Sequence, residues 1–224
     1  MHLNFLYEDN DLGIVHKPAG MLTHPAAKRE ALPAVSDALV ELWGSAFDRT
    51  AFDPLRPGIV HRLDCDTSGL LVVAKHATSH AMLSEQFKAR SVVKRYIAAV
   101  RGRVHADEFI LTEPLRRVRG RSHYKMMAQT HPDAKDAETH CECLYRTSTK
   151  SIVLVTPKTG RTHQIRVHLA NKNHPLIGDR LYGKSSKQYP GHLLHACYLE
   201  FTHPTTQKRL AFQLNAPAWA AYSH

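Results

Sequence analysis

Cysteine is scarce in this chain, with four residues in 224. The N-terminus, Met1-His2-Leu3-Asn4, has no basic patch ahead of an apolar stretch. The two absences argue against a disulfide framework and a secretory leader, so a cytoplasmic, reducing compartment is expected. Long apolar runs are missing too. Runs such as Leu70–Ala74 and Ile152–Val155 are far below the ~20 residues that span a bilayer as a helix. No Gly-rich phosphate loop follows a strand, which counts against a dinucleotide or nucleoside-triphosphate enzyme. Repeats, low-complexity tracts and long linkers are absent, so one domain over residues 1–224 is expected. With 43% hydrophobic and 22% charged residues, the chain is not a disordered one.

Charge is present and unevenly placed. The chain carries 30 Lys+Arg against 20 Asp+Glu, a net +10. Residues 1–90 sum to −2 and residues 91–224 to +12. Such asymmetry points to a polyanionic partner, nucleic acid or an anionic membrane surface. A merely solvated basic face accounts for the count equally well.

Apolar alternation and turn residues predict strands at Asn4–Tyr7 and Leu12–His16, closed by Lys17-Pro18-Ala19-Gly20. Further strands are expected at Ile59–Leu63, Leu70–Lys75, Arg95–Val100, Phe109–Thr112, Tyr124–Ala128, Thr139–Tyr145, Ile152–Thr156, Leu193–Phe201 and Leu210–Leu214. Helices are predicted from about Pro33 to Leu42, from Ser79 to about Ala89 under a Ser or Thr cap, and from near His163. Strands outnumber helices and lie close enough for hairpins. The expected class is α+β: a mixed, largely antiparallel central sheet flanked by a few helices.

The densest chemistry is Gly58-Ile59-Val60-His61-Arg62-Leu63-Asp64-Cys65-Asp66-Thr67-Ser68-Gly69-Leu70. It reads as an apolar strand, a polar turn and a second strand, and loops held by a sheet are favoured places for catalytic groups. Asp64 ends the first strand and is the better nucleophile candidate. Asp66, Thr67 and Ser68 have the chemistry of turn formers. A plain turn aspartate is the competing reading of Asp64. Arg62, two residues earlier, would share a strand face with it. Arg116, Arg117, Arg119 and Arg121 crowd into six residues, a natural hairpin for phosphate contact or a solvated surface loop. His140-Cys141-Glu142-Cys143 is not the usual Cys-x₂–₄-Cys knuckle and has no second pair, so no metal is expected. Cys141 and Cys143 share a strand face, which suits small buried residues.

His61-Arg62-Leu63-Asp64-x-x-Thr67-Ser68-Gly69-Leu70 resembles the signature of RNA pseudouridine synthases of the RluA family. Four further segments fit in order: Tyr7-Glu8-Asp9 with Lys17-Pro18-Ala19-Gly20-Met21; Lys94-Arg95-Tyr96-Ile97-Ala98; Lys158-Thr159-Gly160-Arg161-Thr162-His163-Gln164-Ile165-Arg166-Val167-His168 with His174–Asp179; and Leu194-His195-Ala196. The resemblance runs from about residue 5 to 215. His16 departs from it, standing where many relatives have Asn.

The resemblance implies the pseudouridine synthase fold and isomerisation of uridine in structured RNA, ribosomal or transfer, by base flipping. Atoms and oxidation level balance, so neither a redox cofactor nor ATP is implied. It makes Asp64 the nucleophile, attacking either the sugar or the base, through a carboxylate ionised at neutral pH. Tyr96 would stack on the target base; unaided, it reads as a core strand tyrosine. Arg166 would orient the Asp64 carboxylate through its guanidinium fork, against the plain reading of a solvated arginine on an amphipathic helix. Ile165 would wall the base pocket, and Arg62 would fill the space left by the flipped base. A stand-alone catalytic domain without the small N-terminal RNA-binding module of many relatives is expected, as a monomer and away from membranes. The alternative is a non-catalytic RNA-binding protein on the same fold.

Overall fold

Apolar alternation folds the N-terminus into a hairpin. The computed structural model describes residues 3–25, 32–44, 47, 50, 52–118 and 125–221. Among these, β1 (Asn4–Glu8) alternates exposed and half-buried positions, as an edge strand with one wet face does. The following β2 (Leu12–Lys17) is buried almost throughout. Asp9 closes the turn between them, its Oδ1 accepting from the backbone N–H of Asp11 and Leu12 at 2.8 and 2.9 Å. β3 (Ser68–Ala74) pairs antiparallel with β2, setting Ile14 against Val72 and Lys17 against Gly69.

The chain divides into two compact units. The first comprises Met1–Val93 and Ala196–Leu214. Its strands run in the order β1, β2, β3, β10 (Leu194–Thr202, from Ala196 onward), with β11 (Arg209–Gln213) antiparallel to β10. Leu12, Ile14, Leu70, Val72, Leu83, Leu199 and Phe201 form its core. Gly69 lies where β3 begins. A Cβ there would sit 2.2 Å from the Ala196 carbonyl oxygen, and φ is +118°, so only glycine fits.

Two helices belong to this unit. α1 (Val35–Trp43) buries Val35, Ala38 and Leu39. It starts two residues after Pro33 rather than at it. The Pro33 carbonyl accepts from Leu22 N–H, and Val35 N–H donates to the Leu22 carbonyl, so this backbone first makes a parallel bridge. α2 (Ala77–Lys88) is capped by His76 instead of Ser or Thr. His76 Nδ1 accepts from the Ser79 N–H, and the Ser79 hydroxyl at N3 accepts from the His76 backbone N–H.

The strand expected at Ile59–Leu63 does not form; only Ile59 makes an isolated bridge, to Val73. The Leu63 backbone is satisfied by a side chain instead. Thr23 Oγ1 accepts from Leu63 N–H at 3.1 Å and donates to the Leu63 carbonyl at 2.9 Å. His61 Nε2 accepts from Val72 N–H at 3.1 Å. The shared-face argument for Arg62 and Asp64 therefore has no strand beneath it.

The second unit comprises Lys94–His195 and Asn215–His224. Its strands are β4 (Val93–Arg101, from Lys94 onward), β5 (Glu108–Leu111), β6 (Leu115–Arg117), β7 (Met126–Ala128), β8 (Thr139–Arg146) and β9 (Lys150–Pro157). β4, β9, β8 and β5 lie side by side in that order, antiparallel at each step. β6 and β7 form a separate antiparallel hairpin. α3 (Gln164–Asn171) buries Gln164 through Leu169. Leu115, Ala137 and Val167 make a small core, with Met126, Ala128 and Tyr182 packed on it. Mostly antiparallel pairing in a mixed sheet, with three helices, is the expected α+β class.

Candidate active site

The turn that carries Asp64 is gripped by its backbone. Lys17 is fully buried, and its ammonium donates to three carbonyls: Pro18 at 2.9 Å, Met21 at 2.7 Å and Cys65 at 2.9 Å. An ammonium has three donors, and here each finds an acceptor. Burial nonetheless pushes the Lys17 pKa down to about 8. Gly20 N–H gives the Cys65 carbonyl a second bond, and Thr67 N–H donates to the Asp64 carbonyl. With the Thr23 hydroxyl on both polar groups of Leu63, the main chain on either side of Asp64 is fixed. Asp64 itself is half-buried, and Arg62 is exposed. His61 is a scaffold residue, stacked on Phe87 with ring centroids 4.5 Å apart.

Tyr96, Ile165 and Arg166 belong to the second unit. Tyr96 lies on β4 opposite Val155 and is 9% exposed. Ile165 and Arg166 fall in the first turn of α3, as the sequence predicts, and both are buried. Arg166 is thus not a solvated helix arginine. Its Nε and Nη2 donate to the two oxygens of Asp179, at 2.8 and 3.0 Å. Asp179 is fully buried and also accepts from Leu181 and Tyr182 N–H. Burial works against its charge, but the guanidinium and these N–H donors hold its pKa below the usual range. The ring of Tyr182 lies 5.1 Å from the Arg166 guanidinium carbon, a cation–π floor.

Gln164 sets the start of α3. Its Oε1 accepts from Thr159 Oγ1 and Arg161 N–H, and its Nε2 donates to the Glu138 carbonyl and Thr139 Oγ1. All four bonding positions of the amide are used. His163, immediately before the helix, is left-handed at φ 54°. His168, wholly buried, bonds Thr139 Oγ1 and the Glu113 carbonyl, and burial lowers its pKa, keeping it neutral.

Sequence reasoning assigned no role to Asp179, Tyr182, Gln164, Lys17 or Thr23. The sequence signal for the first was only its place at the end of the His174–Asp179 segment. The Arg-rich segment does begin as a hairpin. Arg116 gives Nε and Nη2 to Gln129 Oε1 across it, and Arg117 is exposed; Arg119 and Arg121 lie outside the described residues. Cys141 is buried, which pushes its thiol pKa up to about 12. Among the described residues, Asp9, Asp11 and His203 bring three ligand-type atoms within 4.8 Å. Those groups are already engaged with one another, with Tyr7 and with His76. No described helix is long and apolar enough to cross a membrane.

Comparison with known proteins returns one family. The sequence profile described as RNA pseudouridylate synthase matches residues 11–171, a span that runs through both units. The chain is 38% identical over 220 residues to a Bacillus subtilis protein named uncharacterized RNA pseudouridine synthase YlyB, covering 97% of this chain and 70% of that one. It is also 38% identical over 230 residues to ribosomal large subunit pseudouridine synthase D of Zymomonas mobilis, covering 96% and 69%. Among solved structures, human RNA pseudouridylate synthase domain containing 1 superposes with a TM-score of 0.76 at 26% identity, over 96% of this chain and 84% of the other.

Proposed function

Because the chain belongs to the RNA pseudouridylate synthase family, we propose that it isomerises specific uridines of a structured RNA, with Asp64 as nucleophile. The C1′–N1 bond breaks, the uracil turns over and a C1′–C5 bond forms; N1 gains a proton and C5 loses one to solvent. The observation that carries the assignment is the clamped turn Leu63–Thr67. Lys17, Gly20 and Thr23 hold the backbone around Asp64. Pre-placing a nucleophile by its main chain is a low-entropy way to present it.

The remaining roles follow the family pattern. Tyr96 stacks on the flipped base, Ile165 walls it, Arg62 fills the vacated stack, and Arg166 orients the carboxylate. Asp179 keeps Arg166 charged and directed. The substrate class is ribosomal RNA, as in the name of the Zymomonas relative, with transfer-RNA stem-loops second. The enzyme works as a cytoplasmic monomer, one catalytic domain over residues 1–224. Arg116, Arg117, Arg119 and Arg121 meet backbone phosphates; neutralising all four flattens the slope of log affinity against log salt.

Tritium release tests the assignment. Ribosomal RNA transcribed with C5-tritiated uridine should lose tritium to water with wild-type protein and no added metal or nucleotide. Asp64→Ala should abolish release while RNA binding persists. Wild-type protein inert on ribosomal and transfer RNA alike would replace the enzyme with a non-catalytic RNA-binding protein on this fold.

A further inference from the structure

We propose that Tyr182 is a positioning residue that couples the arginine hairpin to Arg166, so that engaging RNA and poising the carboxylate orienter share one side chain. The proposal rests on the roles just given to the hairpin and to Arg166. Three contacts meet at Tyr182. Its ring lies under the Arg166 guanidinium at 5.1 Å. Its hydroxyl accepts from the Met126 backbone N–H at 2.8 Å. The same hydroxyl bonds His163 Nδ1, also at 2.8 Å.

Met126 opens β7, the returning strand of the hairpin. Lys125, one residue earlier, sets its Nζ 6.0 Å from the same ring. His163 is the left-handed residue at the head of α3, three residues before Arg166. A left-handed non-glycine residue persists where its surroundings over-determine it, and the Tyr182 hydroxyl is one of those surroundings. Asp179 completes the arrangement by fixing the Tyr182 backbone through its N–H and Arg166 through Nε. A shift of the hairpin on RNA is therefore felt at His163 and under Arg166 through one oxygen and one ring.

The ring and the hydroxyl do separable work, and that makes the test. Tyr182→Phe keeps the ring under Arg166 and removes both hydroxyl bonds. Tyr182→Leu removes both elements. With tritiated ribosomal RNA, Tyr182→Phe should raise KM about fivefold to tenfold and leave kcat within about twofold. Tyr182→Leu should show the same KM rise and lose about tenfold in kcat as well. A residue that merely supports the fold would lower kcat in both variants in proportion to the folded fraction, which thermal unfolding measures. Should Tyr182→Leu not fold, the KM-against-kcat split of Tyr182→Phe decides alone. An unchanged KM in Tyr182→Phe, or equal kcat in two folded variants, overturns the coupling while wild-type release keeps the enzyme assignment standing. Inert wild-type protein overturns both.

Discussion

The turn around Asp64 and the helix start around Arg166 are held by opposite means. At Asp64, the gripping groups of Lys17, Gly20, Thr23 and Thr67 all end on main-chain atoms. At Arg166 the side chain itself is gripped, edge-on by Asp179 and face-on by Tyr182. The first arrangement fixes where a side chain starts and is indifferent to what that side chain is. The second fixes a charge, and has to keep it paired because burial of an unpaired guanidinium is costly. A nucleophile that must form and break a bond suits the first; a permanent cation that must not move suits the second.

Substitutions at the two places should therefore part company. Asp179→Ala removes the buried carboxylate that takes two of the Arg166 guanidinium bonds, so we expect a loss of about 3–5 kcal/mol in denaturant unfolding together with lost tritium release. Asp64→Ala should lose release with a smaller loss of stability than Asp179→Ala. If the two variants were equally stable, the contrast would fail.

Next in size is Lys17→Met, which takes the ammonium from three carbonyls, of which that of Cys65 keeps the Gly20 N–H, and should cost about 2–4 kcal/mol. Its pH signature is distinctive. The folded pKa of about 8 lies below the ordinary lysine value of 10.5, so between these pH values the unfolded chain binds more protons and stability rises with pH. Below pH 8 both states are protonated and the burial penalty is present in full. The difference between wild type and Lys17→Met should grow in favour of wild type from pH 8 to 10; a pH-independent difference would place the ammonium in solvent.

Thr23→Val removes the hydroxyl that serves both polar groups of Leu63 and should cost about 2 kcal/mol. Because it loosens the backbone beside the nucleophile, kcat should fall while RNA affinity holds. A fall in affinity instead would mean that the turn serves binding rather than chemistry.

The smallest effect is in acid. Burial opposes the charge of Asp9, but bonds from Tyr7, Leu12, Asp11 and His203 outweigh it and hold the pKa at about 2. The stability this contributes is present above pH 4 and disappears as pH falls towards 2. The Asp9 side chain is a quarter exposed, so the contribution is about 1–2 kcal/mol. Asp9→Asn should remove it, and leave tritium release at pH 7 untouched.

Much of this was legible in the residues. Alternation located the strands because a strand's pattern is local. The first turn of α3 was placed correctly, and with it Ile165 and Arg166. The Ile59–Leu63 segment was not legible, since its apolar pattern is that of a strand while the Leu63 backbone is bonded by the Thr23 side chain, forty residues away in sequence, and the His61 ring is spent on the Val72 N–H. The same applies to Asp179 and Tyr182, whose meaning lies in what they touch. Gln164 and Lys17 stood inside quoted motifs, yet a motif names residues without saying which are chemical and which hold the chemistry in place.

Gly69 bears on how variation at this locus should look. The position carries no functional group, yet every amino-acid substitution there adds a carbon 2.2 Å from the Ala196 oxygen, one residue beyond Ser68. In a saturation library selected for pseudouridine formation, position 69 should empty as completely as position 64. Depletion scores would then rank a missing side chain beside a nucleophile, and a parallel selection for folded yield should deplete variants at position 69 and spare those at 64.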